Sequence, residues 1–393
     1  MIRIAHIADI HLSERVHFES TKAVLVEFVE HVERAAGTDE PFDLALLAGD
    51  LGDPRYAPAR ATPPVRNFMT DIVRRLANVA PVVGVRGNHD YVGDWRFLNH
   101  LDTTHPVRWV DVEFDSFSIP GLADVTVHAI PWASPAAWQR LGAAMRGLGP
   151  DDDPTEAAVE MVFGSIGSVV EETPHHLHIG VGHMHVAGGR LPNGQELVGP
   201  ELDVPWHALA SARCNYFALG HLHSYQKIKG SPSWYAGSPN RLNYGEAGKP
   251  SGFLDVTVTH DETFVRFEPL WSANVMHTVD VTIGADGDVL EAAEPEYEIS
   301  VGHHVRLRVR VPEGVACEDV IAQFVGDIER SGATAHVERI VLSQLRAREG
   351  ADDVAKAPSI DDKLDTYLRQ RDVGDDQRER VLARFDRLKE AQA

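Results

Sequence analysis

Short apolar runs that stop at glycine or aspartate mark the first part of the chain. Residues 2–8, 43–48 and 82–86 are such runs, and unbroken hydrophobicity is what a strand buried on both faces requires. Between the second and third runs, Thr62-Pro63 places an N-cap before a proline at the first helical position. Val65, Phe68, Met69, Ile72 and Leu76 then recur at helical spacing. Strand, helix, strand reads as an α/β unit. Further strand-like runs lie at 125–130, 177–181, 216–219, 234–236, 253–259 and 264–270. Several are separated by turns rather than helices, so a mixed sheet, or two sheets packed together, fits better than a purely doubly wound fold.

After about residue 270 the pattern changes. Val279, Val281 and Ile283 alternate with polar residues, and residues 305–311 alternate strictly, with Arg306, Arg308 and Arg310 on the polar face. Val320, Ile321, Phe324 and Ile328 form a helical stripe that ends before Gly332, and a further strand is expected at 335–342. This describes a small second α+β domain. Residues 349–358 are polar with Gly, Asp and Pro and read as a linker. Beyond them Ser359 and Asp362 resemble a capping box. Ile360, Leu364, Tyr367 and Leu368 then make one apolar stripe, and Val381, Phe385 and Leu388 another. The expected organisation is 1–272, 273–348, and a linker with a helical tail at 349–393.

Composition narrows the function classes. No apolar run reaches 18 residues, so no membrane span is expected. Residues 1–14 lack the apolar stretch and cleavage site of a secretion signal. With only Cys214 and Cys317 in 393 residues there is no disulfide framework, and a cytoplasmic location is expected. The net charge of −22 argues against gripping nucleic acid by charge alone. It leaves a phosphate substrate open, because bound metal ions supply local positive charge. There is no GxxxxGK[ST], GxSxG, HExxH or CxxC motif, so P-loop, serine-hydrolase, zincin and dithiol chemistries are set aside.

Five short motifs each follow a strand-like run. They are Asp9-Ile10-His11, the segment 49–53 (GDLGD), Gly87-Asn88-His89-Asp90, Gly182-His183-Met184-His185 and Gly220-His221-Leu222-His223. Ligand-binding loops of open sheets lie at such carboxyl ends. Two divalent metals about 3.5–4 Å apart clamp a phosphodiester and activate water. Such a pair needs a carboxylate that reaches both ions, further carboxylate oxygens, neutral imidazoles and an amide oxygen. Asp9, His11, Asp50, Asn88, His183, His221 and His223 supply that set. A donor set of oxygen and nitrogen without thiolate suits Mn²⁺, Fe or Zn better than a soft metal.

The order D-x-H, GD, GNHD, GH, GHxH resembles the calcineurin-like metallophosphoesterase superfamily. Residues 183–189, 215–223, Tyr235-Ala236-Gly237-Ser238-Pro239 and Tyr244-Gly245-Glu246 are similar to its SbcD branch, the nucleases of DNA double-strand-break repair. The resemblance implies two packed mixed β-sheets flanked by helices, a smaller capping domain and a helical tail. It implies one metal on Asp9, His11, Asp50 and His223, and another on Asp50, Asn88, His183 and His221, with Asp50 bridging. His89 would stabilise the phosphate in the transition state or protonate the leaving oxygen, and Asp90 would fix the His89 ring. The implied activity is Mn²⁺-dependent cleavage of DNA, as a 3′→5′ exonuclease on duplex ends and an endonuclease on single strands. The implied partners are an SbcC-type coiled-coil ATPase, docked by the tail, and a second copy of the chain.

The chain departs from the pattern at Gly52, where a bulky apolar residue is common, and Asp53 stands where some branches have histidine. Both bear on how substrate is handled. His185 matches no required ligand and reads as a supporting or surface residue. His175, His176 and His178 precede a strand without a neighbouring carboxylate and read as packing or surface histidines. Arg306, Arg308 and Arg310 are candidates for DNA contact, against the plain reading of a solvated face paired with acidic side chains. Two alternatives remain. One is a metallophosphoesterase of nucleotides or cyclic nucleotides, which would have little use for a second domain and tail. The other is a non-catalytic scaffold, which would be expected to have lost some of the ligands or His89.

Overall fold

The computed structural model describes residues 1–53, 60–145, 149, 152–191, 203–293, 298–342, 357–371 and 373–390. In chain order the elements are β1 (Ile2–Ile7), α1 (Phe18–Ala36), β2 (Leu44–Leu47), α2 (Pro63–Ala77), β3 (Val82–Val85), β4 (Val107–Val110), β5 (Asp115–Ser118) and β6 (Val125–Ile130). There follow α3 (Pro135–Ala143), α4 (Pro154–Glu172), β7 (Leu177–His183), α5 (Trp206–Ser211), β8 (Tyr216–Gly220), β9 (Gln226–Lys227), β10 (Ser233–Tyr235), β11 (Gly252–Val258) and β12 (Thr263–Pro269). The remainder are β13 (Met276–Ile283), β14 (Val289–Ala292), β15 (His304–Pro312), α6 (Glu318–Arg330), β16 (Thr334–Leu342) and two terminal helices, Ile360–Gln370 and Asp375–Glu390.

The class is α/β with mixed sheets. One six-stranded sheet has the order β12-β11-β1-β2-β3-β4 and another β5-β6-β7-β8-β10-β9; β14-β13-β15-β16 form a four-stranded sheet. Burial explains why the early strands read as unbroken apolar runs. In β2, Ala45 and Leu47 join the core under α1 and α2, while Leu44 and Leu46 join a second core shared with Val127, Ile179, Val181 and Ala218 of the other sheet. Successive side chains alternate between two buried faces, so neither needs to be polar. A third core lies between the second sheet and α3, α4 and α5, around Trp138, Phe163, Phe217 and Leu209. The order of layers is therefore helix, sheet, sheet, helix.

The helix α1 has no counterpart in the sequence reading. Val24, Leu25, Phe28, Val29 and Val32 make its buried stripe. Its N-cap is His17, in a left-handed conformation with no side-chain cap, so the usual Ser/Thr/Asp start signal is missing. The helix holds by packing instead. In α2 the expected proline sits at the first turn, but the Thr62 hydroxyl makes no capping bond.

Chain compactness divides the protein into two units. The first is Met1–Val279 with Pro295–Arg306 and Val325–His336; the second is Asp280–Glu294, Leu307–Phe324 and Val337–Ala393. In the first, the β1–β11–β12 edge is fixed by one buried carboxylate. Asp255 accepts from Arg3 Nε (3.0 Å) and Nη2 (2.8 Å) and from Arg266 Nη2 (2.7 Å). Burial alone would raise the Asp255 pKa, but the Arg3 and Arg266 hydrogen bonds and charges outweigh it and hold the carboxyl below its ordinary 3.8. A depressed folded-state value contributes stability above the unfolded pKa that is lost as pH falls through the folded one. Asp255→Asn is therefore expected to lower neutral-pH stability by about 1–2 kcal/mol, allowing for exposure of Arg266. The gap between variant and parent should close as unfolding is followed below about pH 4. A gap that stays constant down to acid would refute the assignment.

The strict alternation at 305–311 is β15, with Val305, Leu307, Val309 and Val311 buried. In the second unit, Arg308 makes a two-point pair with Asp280 (2.7 and 2.8 Å), and Arg310 reaches the same carboxylate at 2.9 Å. In the first, Arg306 bonds Thr278 Oγ1 (3.1 Å) and lies over the Tyr244 ring. At the tail the Ser359 hydroxyl accepts from the Asp362 N–H (3.1 Å), as a capping residue does. Residues 349–356 of the expected linker lie outside the described residues.

Candidate metal centre

The two six-stranded sheets bring their loops to one seam. Asp9 and His11 follow β1, Asp50 follows β2, Asn88 and His89 follow β3, His183 closes β7, and His221 and His223 follow β8. β1, β2 and β3 are mutually parallel, as are β6, β7 and β8. Each set therefore opens its carboxyl ends at one edge. Bonds between the loops stitch the seam. The His221 N–H donates to Asp9 Oδ1 (2.8 Å), His183 Nδ1 donates to the Ala48 carbonyl (2.8 Å), and the His89 N–H donates to Asp50 Oδ1 (2.7 Å).

Two glycines make this approach feasible. A Cβ on Gly220 would lie 1.9 Å from the Ala48 oxygen, and one on Gly87 would lie 2.0 Å from Asp50 Oδ1. The ligand candidates themselves bear strain. Asp9, His11, Asp50 and His221 all have positive φ, at 54°, 50°, 55° and 109°. Non-glycine residues adopt that region at a cost and cluster there at functional sites.

All seven candidates converge, and the arrangement fits a pair of cations. Asp50 Oδ2 lies 3.5 Å from His11 Nε2 and 3.4 Å from His183 Nε2, between two imidazoles from different sheets. His11 Nε2 and His223 Nε2 face each other at 3.0 Å, and His183 Nε2 and His221 Nδ1 converge on Asn88 Oδ1 at 2.8 and 3.2 Å. Asp9 Oδ2 and His11 Nδ1 are buried and have no hydrogen-bond partner among the described residues. Sets of acceptors turned on one another, with a buried carboxylate oxygen left over, need positive charge among them. The protonation pattern points the same way. Burial lowers the His183 pKa, but the Asp50 charge and hydrogen bond, with Asp9, push it up to about 9. Burial raises Asp50, yet His183 and His11 bring it well below the carboxylate range. The cluster thus favours positive charge on His183, beside the Asp50 and Asp9 carboxylates.

Three supporting contacts escape the sequence reading because they are made across the fold. Glu246 Oε1 accepts from His223 Nδ1 at 2.9 Å, which leaves Nε2 free to ligate. The Ala48 carbonyl does the same for His183. Asp53 Oδ1 lies 3.5 Å from His89 Nδ1 and its Oδ2 lies 3.9 Å from His11 Nδ1. The sequence marks Asp53 as a departure that bears on substrate handling, and does not show it beside His89.

The expectation for Asp90 is corrected. Its carboxylate does not hold the His89 ring. Oδ2 accepts the N–H groups of Asp50 and Gly87 (both 2.9 Å), and Oδ1 accepts those of Leu51 (3.0 Å) and Gly52 (3.2 Å) and the Trp95 indole N–H (2.9 Å). Asp90 binds the second and third ligand loops together, and Asp53 is the carboxylate beside His89. Burial, then the Asp50 charge, push Asp90 up to about 6 against those donors. His185 is buried, with Nδ1 2.5 Å from Asp203 and its ring 6.2 Å from that of His221, beside the centre and outside the ligand groups. Beside His89 opens a cavity of about 300 Å³ lined by Arg15, Gly52, Asp53, Arg60, Tyr91 and Trp95. A Cβ on Gly52 would touch Trp95 at an ordinary 3.6 Å, so glycine there keeps the wall open without being required by sterics.

The sequence pattern of the calcineurin-like phosphoesterase family matches residues 2–225, a span that contains every one of the seven converging side chains. The chain belongs to the calcineurin-like phosphoesterase family. It is accordingly a phosphoester hydrolase, of a family that uses divalent metals. Its similarity extends to the SbcD component of the nuclease SbcCD of Staphylococcus epidermidis, at 24% identity over 294 residues, covering 70% of this chain and 72% of that protein. Among solved structures it is similar to the purple acid phosphatase PPD1 of yellow lupin seeds, at 12% identity and a TM-score of 0.40. That match covers 70% of this chain and about half, 52%, of the phosphatase. Among the described residues no helix is long and apolar enough to cross a membrane.

Proposed function

We propose that this protein is a Mn²⁺-dependent DNA nuclease of the SbcD type, acting in the cytoplasm on DNA ends and single strands. The observation that carries the reading is the position of Asp50 Oδ2 between His11 Nε2 and His183 Nε2, the arrangement a carboxylate takes when it serves two cations. Asp9, His11, Asp50 and His223 would hold one ion, and Asp50, Asn88, His183 and His221 the other. When bound, the pair supplies Lewis acidity toward the phosphate and a nucleophilic water at neutral pH.

The chain's own groups do the rest. Glu246 and the Ala48 carbonyl fix the ring tautomers of His223 and His183, so the ligating nitrogens are preset. Attack forms a bond from the water oxygen to phosphorus while the bond to the departing sugar oxygen breaks. His89, with Nδ1 toward Asp53 and its ring edge-on to His11 at 4.8 Å, offers Nε2 as hydrogen-bond or proton donor to that oxygen. The cavity beside His89, with Arg15 and Arg60 on its wall, is suited to the sugar-phosphate next to the cleaved bond.

DNA as substrate is favoured by likeness to a nuclease component over most of both chains. The resemblance brings with it an SbcC-type coiled-coil ATPase and a homodimer. For the ATPase, Ile360, Tyr367 and Val381 of the terminal helices are exposed apolar residues of the kind helix docking uses. Arg306, Arg308 and Arg310 would contact DNA only by exchanging Thr278 and Asp280 for phosphate.

The test compares the parent with His89→Ala on linear duplex, hairpin and bis-nitrophenyl phosphate, with Mn²⁺. DNA cleavage is expected to fall about 10²–10⁴-fold with Mn²⁺ stoichiometry unchanged. Turnover of the small ester without cleavage of either DNA would instead point to a phosphoesterase of nucleotides or cyclic nucleotides.

A further inference from the structure

The edge of the second sheet opposite the ligand loops holds a cluster that phosphodiester chemistry does not use. β6 and β7 run parallel, so the residues before them lie side by side. Asp124 precedes β6 in a left-handed conformation (φ 57°), and His175 and His176 precede β7. One ligand atom from each lies within 4.8 Å of the other two. The sequence sets the two histidines aside for want of a carboxylate, and the fold supplies one.

The Asp124–His176 pair is spaced more like two ligands than like a hydrogen bond. His176 Nε2 is 3.7 Å from Asp124 Oδ1, too far for a hydrogen bond. Two donors on a tetrahedral Zn²⁺, each about 2.0–2.1 Å from the ion, stand roughly 3.3 Å apart. The His176–Asp124 pair therefore needs only slight closure, and the exposed His175, whose donor lies within 4.8 Å of both, has room to swing in. His176 Nδ1 lies 2.8 Å from Thr126 Oγ1. With the proton on Nδ1, that bond presents the Nε2 lone pair toward Asp124, as the partners of metal-binding histidines do. The His175 ring meets His176 edge to face at 4.5 Å.

Behind them His178 stacks on His176 at 6.1 Å, and its nitrogens are taken by His128 Nε2 (3.1 Å) and the Thr173 carbonyl (3.0 Å). His178 is backing, not ligand.

We propose that Asp124, His175 and His176 form a second metal site, independent of the catalytic centre, for a late first-row divalent cation, with Zn²⁺ the best fit. Two imidazoles and one carboxylate favour Zn²⁺, Ni²⁺ or Cu²⁺ over Mg²⁺ or Mn²⁺. They fill three of four tetrahedral positions and leave one to water. The seven residues of β7 put this site roughly 20 Å from His183, so the ion would take no part in cleavage. It would tie together the chain segments entering β6 and β7 and stabilise the native state by mass action.

Equilibrium dialysis of the full chain against Zn²⁺ tests this. The double variant His175→Ala/His176→Ala is expected to bind one equivalent fewer than the parent, and Asp124→Asn to hold that equivalent at least about 10-fold more weakly. Mn²⁺-dependent ester turnover should be unchanged in both. Equal stoichiometry and affinity in parent and double variant would overturn the proposal. A second measurement needs no variant: a crystal of the parent soaked in Zn²⁺ should show an anomalous peak between Asp124 and His176 at the zinc edge. A peak only at the catalytic centre would equally overturn it.

Discussion

Asp50→Ala is expected to abolish cleavage, lowering it roughly 10³-fold or more while most secondary structure persists. A metal pair would supply several kcal/mol of charge stabilisation, and each 1.4 kcal/mol is a factor of ten in rate. Asp50 Oδ2 stands 3.5 and 3.4 Å from imidazoles of both sheets. In the proposed centre its loss would remove a ligand from each ion at once. Its Oδ1 also accepts the His89 N–H, so His89, the proposed donor to the leaving oxygen, would lose that support. Asp50→Asn separates the two effects, since an amide oxygen keeps the His89 bond and gives up the charge. Mn²⁺ content by elemental analysis, beside circular dichroism, checks the result. Two tightly held Mn²⁺ ions in Asp50→Ala would refute the bridging assignment.

Asp90→Ala should be the most destabilising single change in the centre, by about 3–5 kcal/mol. The carboxylate accepts four backbone N–H groups and the Trp95 indole. Alanine would leave five donors buried without partners, each costing about 1–3 kcal/mol before relaxation. Part is recovered, because burial and the Asp50 charge already disfavour the ionised form. In a chain this large the change corresponds to a fall of roughly 10 °C in Tm. Calorimetry of the metal-free protein reads it without interference from bound ions. A Tm within a degree or two of the parent would show that water replaces the carboxylate, and that the two loops hold without it.

The ligand candidates were legible because each lies within five residues of a buried strand's end, where apolar run and motif are read together. The same holds for the two-sheet architecture. Runs such as 43–48 lack polar alternation because helices cover one face and the other sheet covers the second. What escaped the sequence is contact across long separations. Glu246 reaches His223, Asp53 lies beside His89, and Asp124 joins His175 and His176, none of which local spacing encodes. Asp90 misled for the converse reason: its nearness in sequence to His89 suggested a partnership, whereas its oxygens point to loop backbone. The helix at 18–36 was missed because its start carries no capping side chain.

The seam between the sheets has a consequence for heat and for mutation. The cations would be gripped by jaws that belong to different layers, Asp9, Asp50 and Asn88 on one and His183, His221 and His223 on the other. Their spacing thus gauges how the layers are laid together, and functional sites tolerate slips of only about 0.5 Å. Shear between the layers would silence the enzyme below the temperature at which the strands part. A methyl group lost around Val127, Val181 or Ala218, deep in the interlayer, would register first as weaker retention of its ions.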